Sequence, residues 1–107
     1  MEKNGLRFLH NVFFTLKDGS PANQQKLVDS CYQFLAQTPG VLSFAAGTRR
    51  LESKRDVNDA GFQVALTILF DSAKSHDDYQ VSQKHKDFVA ANTANWQQVR
   101  VFDSEIR

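Results

Sequence analysis

Two apolar stretches constrain the fold of this chain more than any other feature of the sequence. Residues 8–16 and 62–70 are rich in aromatic and β-branched side chains, a composition typical of β-strands. Because successive strand residues point to opposite faces, every second residue shares one face of a sheet. One face of each stretch is almost wholly apolar and should lie beneath helices: His10, Val12, Phe14 and Leu16 in the first, and Phe62, Val64, Leu66, Ile68 and Phe70 in the second.

The opposite face of the two stretches is mixed in character but still too apolar to be left in water. Leucine and phenylalanine rows on an open sheet would form a sizeable exposed patch, which in soluble proteins marks an interaction surface. We therefore predict that a second copy of the sheet covers this face in a homodimer; the alternative is a monomer that tolerates it. The residues concerned are Leu9, Asn11, Phe13, Thr15, Gln63, Ala65, Thr67 and Leu69.

The remaining elements follow from caps, breakers and periodicity. Ser20 and Pro21 suit the start of a first helix, which Thr38-Pro39-Gly40 should stop, and Asp71 and Ser72 precede a second helix that ends at Tyr79. Between these helices we expect a strand over 41–46, with an extension to 51 left open, and an exposed loop over 52–60. After the second helix we expect a break at residues 81–83 and a further helix over 84–92. A last strand over 96–102 is followed by a tail. The order β-α-β-β-α-β predicts an α+β protein with a ferredoxin-like, four-stranded antiparallel sheet.

Composition limits the classes of function. The chain has 107 residues, which suits one domain, and a net charge of +1, which offers no general field for nucleic acid or an anionic membrane. Its single cysteine excludes an internal disulfide, and residues 1–7 lack the apolar core of a signal peptide. We expect a cytoplasmic protein without a membrane span. Phosphate-binding glycine loops and the usual spacings of zinc or calcium ligands are missing from the sequence, so we expect no cofactor and no metal site built from side chains; a metal ion held by backbone carbonyls stays open.

Candidate chemistry comes from polar residues forced onto apolar faces. His10 shares its strand face with apolar residues, and His85 lies at helical spacing with Phe88, so both should point between helices and sheet. Tyr79, six residues earlier, could present its hydroxyl to the same space. Imidazoles exchange protons near neutral pH, which makes His85, Tyr79 and His10 candidate catalytic residues; the alternative is a hydrogen-bonded polar cluster in the core. Candidate residues for an apolar ligand-binding wall are Val12, Phe14, Leu66, Phe88 and Trp96.

For two further residues, His76 and Cys31, we expect no part in a functional site. The neighbours of His76 are polar, so we expect this third histidine on a solvated helix face together with Asp77 and Asp78. Cys31 lies on the apolar stripe of the first helix, where an inert core thiol is expected.

Several short motifs together resemble a known family. The run from His10 to Lys17 is similar to the opening "His-x-Val-x-Phe-x-Leu-Lys" of the stress-responsive α/β barrel (Dabb) family. Asp78-Tyr79 followed by His85 and Phe88 resembles that family's second helical region, and Trp96 stands where members often open the last strand. The resemblance covers about residues 6 to 104, as a single domain.

The resemblance implies a ferredoxin-like protomer that forms a dimeric α/β barrel, with a cavity between sheet and helices. Most members have no assigned activity, but one plant branch consists of polyketide cyclases that close rings by aldol chemistry without an organic cofactor. In that branch the acid/base pair would correspond to His85 and Tyr79, and a pocket histidine to His10. The sequence departs from the cyclases at Val64, where they carry a histidine, and near Gln83, where they carry a proline.

Three hypotheses of function follow. The first is a dimer that binds a small apolar or carbonyl-containing molecule, with cofactor-free cyclase or lyase chemistry. The second is a non-enzymatic, stress-related dimeric protein whose histidines are structural. The third is a relative of the cofactor-free monooxygenases that share the dimeric barrel. The sequence does not identify a ligand.

Overall fold

The computed structural model describes residues 5–107, which form four strands, three α-helices and a short 3₁₀ turn. Part of the segment on which the signal-peptide prediction rests, residues 1–4, lies outside the described residues. Within residues 5–107, none of the helices is both long and apolar enough to cross a membrane. The elements are β1 Arg7–Leu16, α1 Pro21–Leu35, β2 Val41–Thr48, β3 Val64–Phe70, α2 Ala73–Gln80, α3 Gln83–Asn92, the 3₁₀ turn Thr93–Asn95 and β4 Trp96–Ile106.

The strands form one antiparallel sheet in the order β2-β3-β1-β4. β1 is central, because it pairs with β3 on one side and with β4 along almost its whole length on the other. This arrangement confirms the predicted ferredoxin-like fold. The second helical region is divided into α2 and α3, as the expected break at residues 81–83 required.

The helices cover one face of the sheet, and the core lies between them. The four residues of β1 predicted to face the helices are all buried, as are the alternate residues of β3 from Val64 to Phe70. Phe62 was wrongly assigned to this face. It precedes β3, and its ring packs against Phe13 on the opposite face, at a centroid distance of 5.0 Å. The strand pattern does not extend to Phe62 because the chain is still in the irregular loop at that point.

Serine caps begin all three α-helices. The Ser20 hydroxyl accepts a hydrogen bond from the Asn23 amide, and Ser72 and Ser82 do the same for the third residues of α2 and α3. Each cap satisfies one of the amides that a helix start leaves without a partner. The predicted cap at Ser20, the cap at the Asp71-Ser72 step and the break before α3 are therefore confirmed.

The last strand is longer than expected. β4 continues through Asp103 to Ile106 and pairs with β1 as far as Arg7, so the predicted tail beyond residue 102 is wrong. The apolar pattern ends at Phe102, but strand pairing depends on backbone hydrogen bonds, which the polar residues at 103–105 make equally well. The extension places Asp103 directly opposite His10.

Gly40 lies just before β2, where the backbone comes close to Ser75 of α2. Its φ of +87° suits glycine alone, and a Cβ at this position would overlap the Ser75 side chain. We expect Gly40→Ala to lower the free energy of unfolding by at least about 2 kcal/mol, through left-handed backbone strain and the overlap. Urea denaturation at fixed protein concentration measures the change.

Gly47→Ala is the matched control, because a Cβ on this β2 glycine would meet no atom within 4 Å. We expect the free energy of unfolding of this variant to stay within about 1 kcal/mol of the parent. Equal effects of the two substitutions would show that the turn at Gly40 is not under the steric constraint described.

Candidate functional site

A cavity of about 210 Å³ lies between the sheet and helices α2 and α3. β1, β3 and β4 form its floor, and the two helices form its roof. All eight residues predicted from the sequence as catalytic or ligand-binding line this one space, together with four that were not predicted. The lining consists of His10, Val12, Phe14, Leu66, Tyr79, Gln80, His85, Phe88, Val89, Trp96, Val99 and Val101.

The walls of the cavity are mainly apolar, and aromatic rings close one end. Trp96 packs against Phe14 and Phe88, with ring centroids 5.1 and 5.7 Å away. Val99 and Val101 of the edge strand β4 remain 39% and 49% exposed. The cavity therefore opens towards solvent along β4.

Tyr79 and His85 meet at the junction of α2 and α3. Their ring centroids lie 4.8 Å apart, with the ring planes at 73°. Ser82 links the two backbones, because its hydroxyl donates to the Tyr79 carbonyl at 2.8 Å and accepts from the His85 amide at 3.2 Å. The junction thus fixes both side chains at the roof of the cavity.

Burial sets the protonation of this pair. It raises the pKa of the Tyr79 phenol, which the electrostatic influence of Cys31 and Asp103 raises further. Burial also lowers the pKa of His85, and the neighbouring His10 and His76 lower it further. At neutral pH the pair therefore presents a protonated hydroxyl and a neutral imidazole, which are a hydrogen-bond donor and a proton acceptor.

His10 is held by an acidic partner that the sequence analysis missed. Its Nδ1 lies 2.7 Å from Oδ1 of Asp103, the residue directly opposite it on β4. Burial lowers the pKa of His10 although the bond to Asp103 acts in the other direction. In the neutral ring, Nδ1–H donates to the carboxylate and Nε2 carries the lone pair. The alternation of β4 could have indicated Asp103 only if the strand had been extended beyond residue 102.

His76 is buried, contrary to the expectation of a solvated face. Only 8% of the residue is exposed, and its ring stacks on Phe8 with a centroid distance of 4.1 Å. The polar neighbours in sequence were misleading, because a helix face is formed by residues three and four apart. The spacing of His76 to Tyr79, which is buried on the same helix, is the signal that could have identified it.

His10 and two side chains near it are of the types that bind metal ions. His10, His76 and Asp103 each offer one ligand atom, and these atoms lie within 4.8 Å of one another. They come from β1, α2 and β4, so no local spacing in the sequence could reveal them. The prediction of no metal site built from side chains rested on local spacing and stays a prediction.

The other residues singled out from the sequence do not line the cavity. Cys31 is fully buried, and burial raises the pKa of its thiol to about 12, which leaves it unreactive at neutral pH. Asp77 and Asp78 are exposed, as expected, and Asp78 forms an ion pair with Lys74 on the helix surface.

Comparison with solved structures shows the same fold in distant proteins. A Dabb family protein with a ferredoxin-like fold from Mesorhizobium loti is 20% identical, with a TM-score of 0.75 over 92% of this chain and 95% of the other. A dimeric ferredoxin-like protein of unknown function from Thermobifida fusca is 14% identical, with a TM-score of 0.76 over 99% and 96%. The hydroxynitrile lyase from Passiflora edulis is 18% identical, with a TM-score of 0.76 over 96% and 95%.

No curated protein matches the chain with significance. The family model of the stress-responsive A/B barrel domain matches residues 8–106, which is nearly the whole chain. This match agrees with the fold and with the motifs around His10 and His85. The chain belongs to the stress-responsive A/B barrel (Dabb) family.

Proposed function

We propose that this chain acts as a homodimer in which each protomer binds a small carbonyl-containing molecule and transfers a proton at the carbon next to the carbonyl. The reaction would be of the cyclase or lyase type and would need no organic cofactor. The observation that carries the proposal is an apolar cavity whose polar lining includes a buried phenol beside a neutral imidazole.

The lining suits a small, mostly apolar ligand. Binding sites are typically apolar clefts with a few convergent polar groups, and a volume of about 210 Å³ is below the ~300–1,000 Å³ that drug-sized ligands occupy. Val12, Leu66 and Phe88 would contact the carbon skeleton. The carbonyl would face the polar end formed by Tyr79 and His85.

The proposed chemistry uses the pair in complementary roles. The neutral His85 imidazole takes a proton from the carbon beside the carbonyl, and the electron pair moves onto the oxygen. The Tyr79 hydroxyl donates a hydrogen bond to that developing oxyanion. The enolate then attacks a second carbonyl, or expels a leaving group, and His85 returns the proton. His10, oriented by Asp103, would contact the ligand from the floor of the cavity.

The face of the sheet opposite the helices, which we call the outer face, has an exposed apolar surface that supports the proposed dimer. Phe102 is 51% exposed and packs only edge-on against Phe13, at a centroid distance of 5.7 Å. An apolar patch of this kind on a soluble protein favours a partner surface. Relatives of the same fold are described as dimeric, among them the Thermobifida fusca protein.

Phe102→Asp should weaken the dimer, because it places a charge on the apolar outer face. We expect light scattering to give about twice the protomer mass of 12.1 kDa for the parent and a shift towards a single protomer for the variant. Val81→Asp, at the exposed junction of α2 and α3, should leave the mass unchanged. A parent of protomer mass would contradict the proposed dimer.

His85→Ala and Tyr79→Phe test the acid/base pair. Exchange of α-protons of acetylacetone or acetophenone in D₂O, followed by NMR, reports proton abstraction without knowledge of the natural substrate. Loss of the base or of the oxyanion donor should lower catalysed exchange by about 100-fold each. Lys86→Ala, an exposed neighbour on α3, is the matched control and should leave the rate unchanged.

Ligand binding to the cavity can be measured independently of catalysis. Trp96 is the single tryptophan and lines the cavity, so a ligand that enters should change its fluorescence. Fluorescence changes without catalysed exchange would support ligand binding in the cavity and contradict the proposed proton transfer. Exchange that persists in folded His85→Ala would overturn the assignment of the base.

The pH profile of exchange should follow the neutral form of His85. Because burial and the nearby histidines lower the pKa of His85 below 6.5, the rate should rise with pH to a plateau reached near neutrality. The raised pKa of Tyr79 predicts that the plateau continues to at least about pH 10. Rates from about pH 4 to 10 test the profile, and a midpoint above 6.5 would exclude His85 as the base.

A further inference from the structure

We propose that His10, His76 and Asp103 form a binding site for a divalent transition-metal ion of the zinc type. We call these three residues the His–His–Asp cluster. It lies where β1 begins, where β4 ends, and beside α2, at the edge of the cavity that His10 also lines. His85 and Tyr79 are not part of the cluster, so this proposal and the proposed proton transfer can fail separately.

The backbone holds two of the three ligands in register. His10 and Asp103 are directly opposed in the β1–β4 ladder, and their side chains already meet at 2.7 Å. A metal ion would replace the proton that the imidazole and the carboxylate share in this contact. Asp103, with 37% of its side chain exposed, can turn to make room and leaves the ion a route from solvent.

The third ligand comes from the helix above. The ring centroid of His76 lies 4.9 Å from that of His10, and the ring stacks on Phe8. Zinc bonds of about 2.0–2.2 Å place tetrahedral ligand atoms about 3.4 Å apart. The ligand atoms all lie within 4.8 Å of one another, so the widest separation must close by up to about 1.4 Å, which rotation of the side chains can supply.

His76 has two other polar contacts, and one of them must break when an ion binds. Its Nδ1 lies 3.1 Å from Oδ1 of Asp77, and its Nε2 lies 3.3 Å from Nε2 of Gln80. Asp77 and Gln80 are exposed, so either can move away and return to solvent. The remaining contact would orient the ring, as hydrogen bonds to the second nitrogen do for metal-bound histidines.

The donor set selects the class of ion. Two imidazole nitrogens and one carboxylate suit Zn²⁺, Co²⁺ or Fe²⁺, whereas Mg²⁺ and Ca²⁺ prefer oxygen ligands throughout. Three protein ligands leave at least one position for water or another molecule. Two of the ligands are more than nine-tenths buried, so the ion would be held in a site of low polarity.

The experiment is a titration of the untagged protein, after chelator treatment and dialysis, with Zn²⁺ by calorimetry and with Co²⁺ by visible absorption. We expect one ion per chain and tetrahedral Co²⁺ bands. His76→Phe, which preserves stacking on Phe8, and Asp103→Asn should each weaken Zn²⁺ binding by at least about 100-fold. His85→Ala and Asp78→Asn are the matched controls and should change the affinity by no more than about threefold.

If a variant fails to fold, the proposed metal site can still be tested in the parent protein. NMR of the histidine rings in the parent protein should show Zn²⁺-dependent shifts for His10 and His76, with His85 much less affected. The proposal is overturned by the absence of stoichiometric binding, by binding that survives both His76→Phe and Asp103→Asn, or by an equal loss in His85→Ala. α-Proton exchange is also measured with and without chelator. This measurement tests the proposed proton transfer by His85 and Tyr79 separately from the proposed metal site.

Discussion

The pairing of β1 with β4 is the interaction on which the cavity and its polar groups depend. β4 is an edge strand, and the helices leave part of it uncovered, so its residues form the open side of the cavity. The same ladder fixes Asp103 opposite His10. If the register of β4 shifted by one residue, its side chains would change faces, and both the apolar wall and the carboxylate would be lost from this side of the sheet.

Buried polar groups in an apolar core are costly unless they have partners, and this core accommodates several. His10 bonds to Asp103, and His76 has contacts to Asp77 and Gln80 at the helix surface. Among the described residues, no buried side-chain nitrogen or oxygen lacks a hydrogen-bond partner. These polar groups lie close together beside a cavity, and this is the observation on which the proposed chemistry rests.

Alternation within strands made much of the site predictable from the sequence. His10 was placed correctly because the strand period of two assigns it to the same face as Phe14, and the helical period placed His85 with Phe88. Asp103 and His76 were missed for different reasons. Asp103 follows the end of the apolar pattern and is held in the strand by backbone pairing alone. His76 was judged from its polar neighbours in the sequence, whereas its spacing to Tyr79 places both residues on the buried face of α2.

The break between α2 and α3 explains how Tyr79 and His85 come to share a cavity. In one continuous helix, residues six apart would lie about 120° apart around the axis and more than one turn apart along it. Ser82 ends this continuity by capping α3, and its hydroxyl bonds to the backbone of both residues. The chain thereby starts a second helix, with His85 in its first turn. A capping serine thus links the backbones of the phenol and the imidazole at the junction where both line the cavity.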